Sequence, residues 1–194
     1  MNATKTDTVR VWDPLVRFFH WSLVAGFTIA YFTGEDFITL HSWVGYFILV
    51  LIVIRIGWGF VGSRHARFSD FVYRPATIKQ FLKDTLQAKA KRYLGHNPAG
   101  GAMVILLMLS ILITGFTGVM VLGVEDQAGP MASWFVGSSD VWGDIAEETH
   151  EFFANFTVFL VLLHVTGVFI ESLIHKENLV SSMISGFKQA KSVQ

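Results

Sequence analysis

Residues 18–34, 37–54, 93–124 and 152–170 contain no Asp, Glu, Lys or Arg, and shorter polar segments separate these runs. A bilayer's hydrocarbon core of ~30 Å needs ~20 mostly apolar residues in a helix that rises ~1.5 Å per residue. Extension past a flanking charge completes the shorter runs, so the pattern predicts helices near 15–33, 39–61, 101–123 and 147–173. The expected fold is all-α: an integral membrane four-helix bundle forming a single domain over residues 1–194. The N-terminus, MNATKTDTVRVWD, is polar and contains acids. A secretory signal would start basic, so the first helix is expected to stay uncleaved.

The long segment 62–100 is predicted to hold a short amphipathic helix opened by Pro75. Ile78, Phe81, Leu82 and Leu86 lie on one side and Lys79, Lys83 and Lys89 take the others, which suits a helix resting on lipid headgroups. GHNPAGG is then expected to break this helix before the third span. There is no tandem repeat or low-complexity run, and residues 188–194 are expected to form a frayed tail. Trp12, Trp21, Trp43, Trp58, Trp134 and Trp142 are expected to serve mainly as interfacial anchors.

Composition supports this picture, because 52% of the 194 residues are hydrophobic and only 15% charged, against ~25% charged in soluble domains. The absence of cysteine excludes disulfides, iron–sulfur clusters, zinc–thiolate sites and covalent haem attachment. A net charge of zero gives no overall attraction to nucleic acid. Charge placement says more: three Lys or Arg precede or open the first helix, nine lie between Arg55 and Arg92, and three follow the fourth helix. Residues 34–40 and 124–149 contain none. The positive-inside rule then places the N-terminus and C-terminus in the cytoplasm of a multi-pass inner-membrane protein.

Four of the seven histidines, His20, His41, His150 and His164, fall in or at the ends of these spans. Ionisable groups at such depths are candidates for function. His150 and His164 are fourteen residues apart, which puts them within ~40° of one helix face and ~21 Å apart along the axis. The helix directions match His41 with His150 at the outer level and His20 with His164 at the inner level. Facing imidazole pairs in a bundle suit a planar cofactor ligated on both faces, and two non-covalent haems fit a chain without cysteine. Zinc or copper is the competing reading, although neither pair has a carboxylate nearby within the hydrocarbon and a structural zinc site wants four ligands. HEFFA at His150 lacks the second histidine of a zinc hydrolase motif. Gly45, Ala154 and Gly167, three or four residues after a histidine, leave space for a porphyrin edge or serve close helix packing, as do Gly115 and Gly118. Arg55 follows His41 by fourteen residues, which brings it to the inner level. A haem propionate is its expected partner there, with Arg17 as a second candidate, and snorkelling to headgroups is the alternative.

FFHW around His20, LHSWVGYFILVLIVIRIGWGFVG, YLGHNPAGG and HEFFANFTVFLVLLHVTGVFIESLIHKENL together make the chain resemble the prokaryotic cytochrome b561 family. Within it, the nearest likeness is to the branch close to the b-type cytochrome subunit of nickel-iron hydrogenases. The resemblance implies two b haems, ligated by His20 with His164 and by His41 with His150, and electron exchange with the quinone pool. Its other implied roles are membrane anchor and electron-transfer subunit of a larger oxidoreductase such as a hydrogenase, or superoxide oxidation at the outer face. Glu35, Asp36, Glu125, Asp126, Asp140, Asp144, Glu147, Glu148 and Glu151 lie on the expected outer side. They would repel superoxide and attract a basic protein, so a periplasmic c-type cytochrome is the expected partner. No motif identifies a quinone pocket. Arg55, Arg64 and Trp58 offer hydrogen bonds on the inner side, where His65, His96 and His175 are expected to be dispensable for haem binding.

Overall fold

The computed structural model describes residues 7–34, 36–139 and 141–190. Four helices are long and apolar enough to cross a membrane: α1 (Pro14–Thr33), α2 (Ile38–Val61), α5 (Pro98–Val124) and α6 (Val141–His175). Between α2 and α5 lie a 3-10 turn (Arg64–Ala66), the one-turn α3 (Phe68–Phe71) and α4 (Pro75–Leu86). A second 3-10 turn (Ala132–Trp134) precedes α6, and α7 (Leu179–Ser185) follows it. Many large apolar side chains on the long helices are exposed, among them Phe18, Phe32, Phe60 and Leu162. Water would disfavour such a surface, whereas lipid chains solvate it.

Helix boundaries depart from the expectation where a cap overrides the apolar pattern. GHNPAGG interrupts the helices before the third span as expected, but only through Gly95, His96 and Asn97, because PAGG already belongs to α5. The Asn97 side chain accepts the Gly100 amide at 2.6 Å and Pro98 occupies the first helical position, where its missing N–H and fixed φ fit. A Cβ on Gly101 would collide with the Phe71 carbonyl, so glycine permits the close approach of α5 to α3. The fourth helix begins at Val141 instead of 147, with Asp144 in its first turn, where a negative charge favours the helix dipole. α1 starts after Asp13, whose carboxylate accepts the Val16 amide at 2.9 Å, Trp58 Nε1 at 3.1 Å and Ser63 Oγ at 2.5 Å. Burial raises the Asp13 pKa, but these donors outweigh it and hold the group below its ordinary value.

The expected frayed tail is corrected in part. Phe187–Gln189 forms a strand, β2, antiparallel to β1 (Thr8–Arg10), with Val9 opposite Lys188. Gly186 makes this possible by adopting φ 91° after α7, a left-handed conformation that costs glycine least. Its carbonyl accepts the Val11 and Trp12 amides. Lys188 is only 6% exposed, with its ammonium 3.9 Å from Glu177 and 3.4 Å from the Tyr93 carbonyl. Residues 191–194 lie outside the described residues.

The chain comprises two compact units. The first gathers Met1–His20, Arg55–Val104 and Leu163–Gln194, and the second Trp21–Ile54 and Ile105–Leu162. Val11, Trp12, Val16 and Ala66 form a core in the first, joined by Trp58, Leu94 and Met183. Trp12 is therefore a core residue rather than an interfacial anchor, and its Nε1 lies 3.4 Å from Ser182 Oγ. In the second, Ile48, Leu51, Ile52, Met108, Ile111 and Leu160 are buried, and Ser110 and Thr157 satisfy each other at 2.7 Å. The amphipathic α4 buries only Phe81, beneath Tyr93, whereas Leu82 and Leu86 are exposed.

Candidate functional site

In the second unit, α2 presents His41 and α6 presents His150, with ring centres 5.8 Å apart. Each ring is held from behind. His41 Nδ1 lies 2.9 Å from the Ala30 carbonyl, and His150 Nδ1 lies 2.8 Å from the Thr114 carbonyl. A carbonyl can only accept, so Nδ1 carries the proton in both rings and Nε2 keeps its lone pair for a metal. Gly118 makes room for this geometry, since a Cβ there would lie 2.8 Å from His150 Cε1.

In the first unit, α1 presents His20 and α6 presents His164, with ring centres 6.4 Å apart. Two imidazoles sharing one metal at ~2 Å per metal–nitrogen bond have centres ~6 Å apart, and both pairs agree with that spacing. Cβ atoms on Gly45, four residues after His41, and Gly167, three after His164, would meet nothing within 4 Å. The residues therefore fit haem. Held by such a histidine pair, a b-type haem would supply one-electron redox chemistry.

Arg55 is 2% exposed. One guanidinium nitrogen donates to the Ala66 carbonyl at 3.0 Å, the group lies over the Phe68 and Phe71 rings, and its other terminal nitrogen is buried without a partner. Arg17 Nε is likewise buried and unmatched. Each such donor costs about 1–3 kcal/mol unless an acceptor meets it. Trp58, by contrast, spends its one N–H on Asp13, and Arg64 is 79% exposed beside Asp70.

Two features of this unit escaped the sequence reading. His96 is wedged between Trp12 and Phe71, with both ring-centre distances 4.7 Å. Burial first, then the charges of Arg55, Lys188, His164 and His65, push its pKa down to about 3, so it stays neutral. His65 and Asp70 form a pair, Nδ1 to Oδ2 2.8 Å. A histidine in GHNPAGG and an H-x4-D spacing were the available signals, but neither is specific alone.

Among the acids expected outside, Asp144, Glu147, Glu148 and Glu151 line a surface cavity of about 290 Å³. Glu125 is exposed, and partial burial followed by Glu147, Asp126 and Asp144 raises its pKa. Glu35 and Asp140 lie outside the described residues.

Four membrane-crossing helices carrying facing histidine pairs are the layout of a membrane cytochrome. The model of the prokaryotic cytochrome b561 family matches residues 11–186, and the chain belongs to that family. It is a multi-pass protein of the bacterial inner membrane with a b-type haem and a role in electron transport. Among its relatives is a probable Ni/Fe-hydrogenase B-type cytochrome subunit of Azotobacter vinelandii, 26% identical over 96% of this chain and 91% of that protein. Proteins of the same description from Bradyrhizobium diazoefficiens, 26% identical over 96% and 88%, and Rhodobacter capsulatus, 27% identical over 96% and 84%, are also similar. No solved structure matches the chain.

Proposed function

We propose that this chain is a di-haem b-type cytochrome that carries electrons between the quinone pool and a redox partner at the periplasmic face, with both termini in the cytoplasm. The observation that carries this reading is the pair of facing histidines in each unit, at ring separations of 6.4 and 5.8 Å. His20 and His164 hold one haem, and His41 and His150 the other. The unmatched nitrogens of Arg17 and Arg55 meet the propionates of the first, because a carboxylate satisfies a buried guanidinium with charge-assisted hydrogen bonds. Bis-histidine ligation favours electron transfer over oxygen chemistry. The acidic residues around Glu147 fit a basic c-type cytochrome.

A second reading makes the chain the membrane anchor and electron-transfer subunit of a larger oxidoreductase, and the hydrogenase descriptions of its relatives favour it. Haem-free metal transport is a third reading, and a colourless purified protein would select it. Superoxide oxidation is disfavoured by the acidic outer charge.

The test is the visible spectrum and haem content of the purified protein. Two low-spin b haems per chain are expected, whereas one haem or none overturns the di-haem reading. Co-purification of a stable catalytic partner selects the anchor role.

A further inference from the structure

His65 and Asp70 lie outside both histidine pairs, and nothing in the haem assignment uses them. Asp70 Oδ2 is 2.8 Å from His65 Nδ1, and an ionised carboxylate accepts only, so Nδ1 carries the hydrogen and Nε2 offers a lone pair. The pair is sheltered, with side chains 15% and 25% exposed. Its space is reserved by a glycine: a Cβ on Gly95 would lie 2.8 Å from His65 Nδ1 and 3.3 Å from Asp70 Oδ2. The turn bearing His65 is pinned from α2, since Arg55 donates to the carbonyl of the next residue, Ala66.

The surroundings have two characters. Phe60, Val61 and Val72, close in sequence on either side, are exposed apolar side chains suited to lipid. Arg64, 79% exposed and 3.6 Å from Asp70 Oδ1, marks contact with water. A lipid-soluble molecule that must exchange a proton with water needs this combination. The dyad and the His20–His164 pair belong to the same compact unit.

We propose that His65, oriented by Asp70, takes and gives the proton at a quinone head-group site beside the His20–His164 pair. This rests on the quinone reading above. Oxidation of one quinol releases two electrons and two protons. The electrons leave singly for ferric b haem, the oxidant class that family membership supplies. The first proton passes from a quinol hydroxyl to His65 Nε2 and then to water beside Arg64, and the second follows the same path. Quinone reduction runs the steps backwards. Asp70 is a positioning residue: it fixes the tautomer and stabilises the imidazolium. The other charged or titratable groups around the dyad are Arg64 on the same turn, Arg55 from α2, Tyr73 before α4 and His96 before α5.

The test uses the haem-loaded full chain, with the haem spectrum of each variant as a check on folding. Reduction of the haem by a short-chain ubiquinol is followed across pH, and binding of the quinol analogue 2-heptyl-4-hydroxyquinoline N-oxide is measured by calorimetry. In the wild type the rate should rise with pH, because the step passes a proton from the quinol to the chain. His65→Gln should slow reduction ~100-fold and abolish that rise, and weaken the analogue ~10-fold. Asp70→Asn, similar in size, should slow it less and change that pH profile, because the imidazolium loses its counter-charge. Gly95→Ala should behave like His65→Gln by displacing the ring. If ubiquinol reduces the wild type and these variants equally, with equal analogue binding, the dyad proposal falls and the quinone reading stands. If ubiquinol does not reduce the wild type, both fall.

Discussion

Around His41 and His150 the structure supplies rigidity: each Nδ1 is tied to a helix carbonyl at 2.9 or 2.8 Å, Gly118 accommodates the ring, and the buried polar groups nearby, Ser110 and Thr157, bond to each other. Around His20 and His164 it supplies charge and titratable chemistry instead. Arg55 and Arg17 bring buried, unmatched N–H groups, and His65, Asp70 and His96 stand in the same unit. One pair is held still by hydrogen bonds, and the other shares its unit with buried unmatched donors and a His–Asp pair. The contrast teaches that matched histidine pairs do not make matched sites, because the residues behind and beside them determine what else each site can do.

The largest expected effect removes a ligand. His150→Ala should empty or disrupt the haem of the second unit and His164→Ala that of the first, read as loss of about half the haem absorbance. Two normal haems after either change would break the comparison at its root. Loss of both from a single change would show that the cavity destabilises the shared helix α6 as well.

A smaller effect should distinguish the charged site from the rigid one. Arg55→Leu should lower the potential of the His20–His164 haem by ~60 mV, equivalent to a tenfold shift in the one-electron equilibrium. The sign follows from charge: without the guanidinium, nearby propionates favour the ferric form. The other haem should keep its potential. A redox titration with neither midpoint moved would assign Arg55 to bracing Ala66 alone.

The smallest effect concerns the acids near His150. They should speed encounter with a basic c-type cytochrome ~10-fold at low salt, with the field's range falling from ~30 Å at 0.01 M salt to ~10 Å at 0.1 M. Neutralising Asp140, Asp144, Glu147 and Glu148 together should flatten the salt dependence of electron transfer to that cytochrome. Rates indifferent to both salt and the fourfold change would remove the docking role.

The four spans were legible in the sequence because lipid solvation acts on each apolar run separately, and helical periodicity let residue spacing match His20 with His164 and His41 with His150 before any contact was known. The basic loops and the acids beside α6 were legible for the same reason, since charge counts need no partner. Tertiary structure alone decided the rest. Lys188 looked like part of a loose tail because a three-residue strand has no signal of its own; its partner lies at residues 8–10, far away in sequence. The start of α5 at Pro98, inside GHNPAGG, was not legible because it depends on Phe71, whose carbonyl requires Gly101, and on the Asn97 cap. The hydrogen bonds fixing His41 and His150, and the enclosure of His65 with Asp70 by Gly95, join residues that local patterns treat as independent. Periodicity encodes which face a residue occupies on its own helix, whereas hydrogen bonding and close packing depend on atoms brought by other segments, and those meet only when the chain has folded.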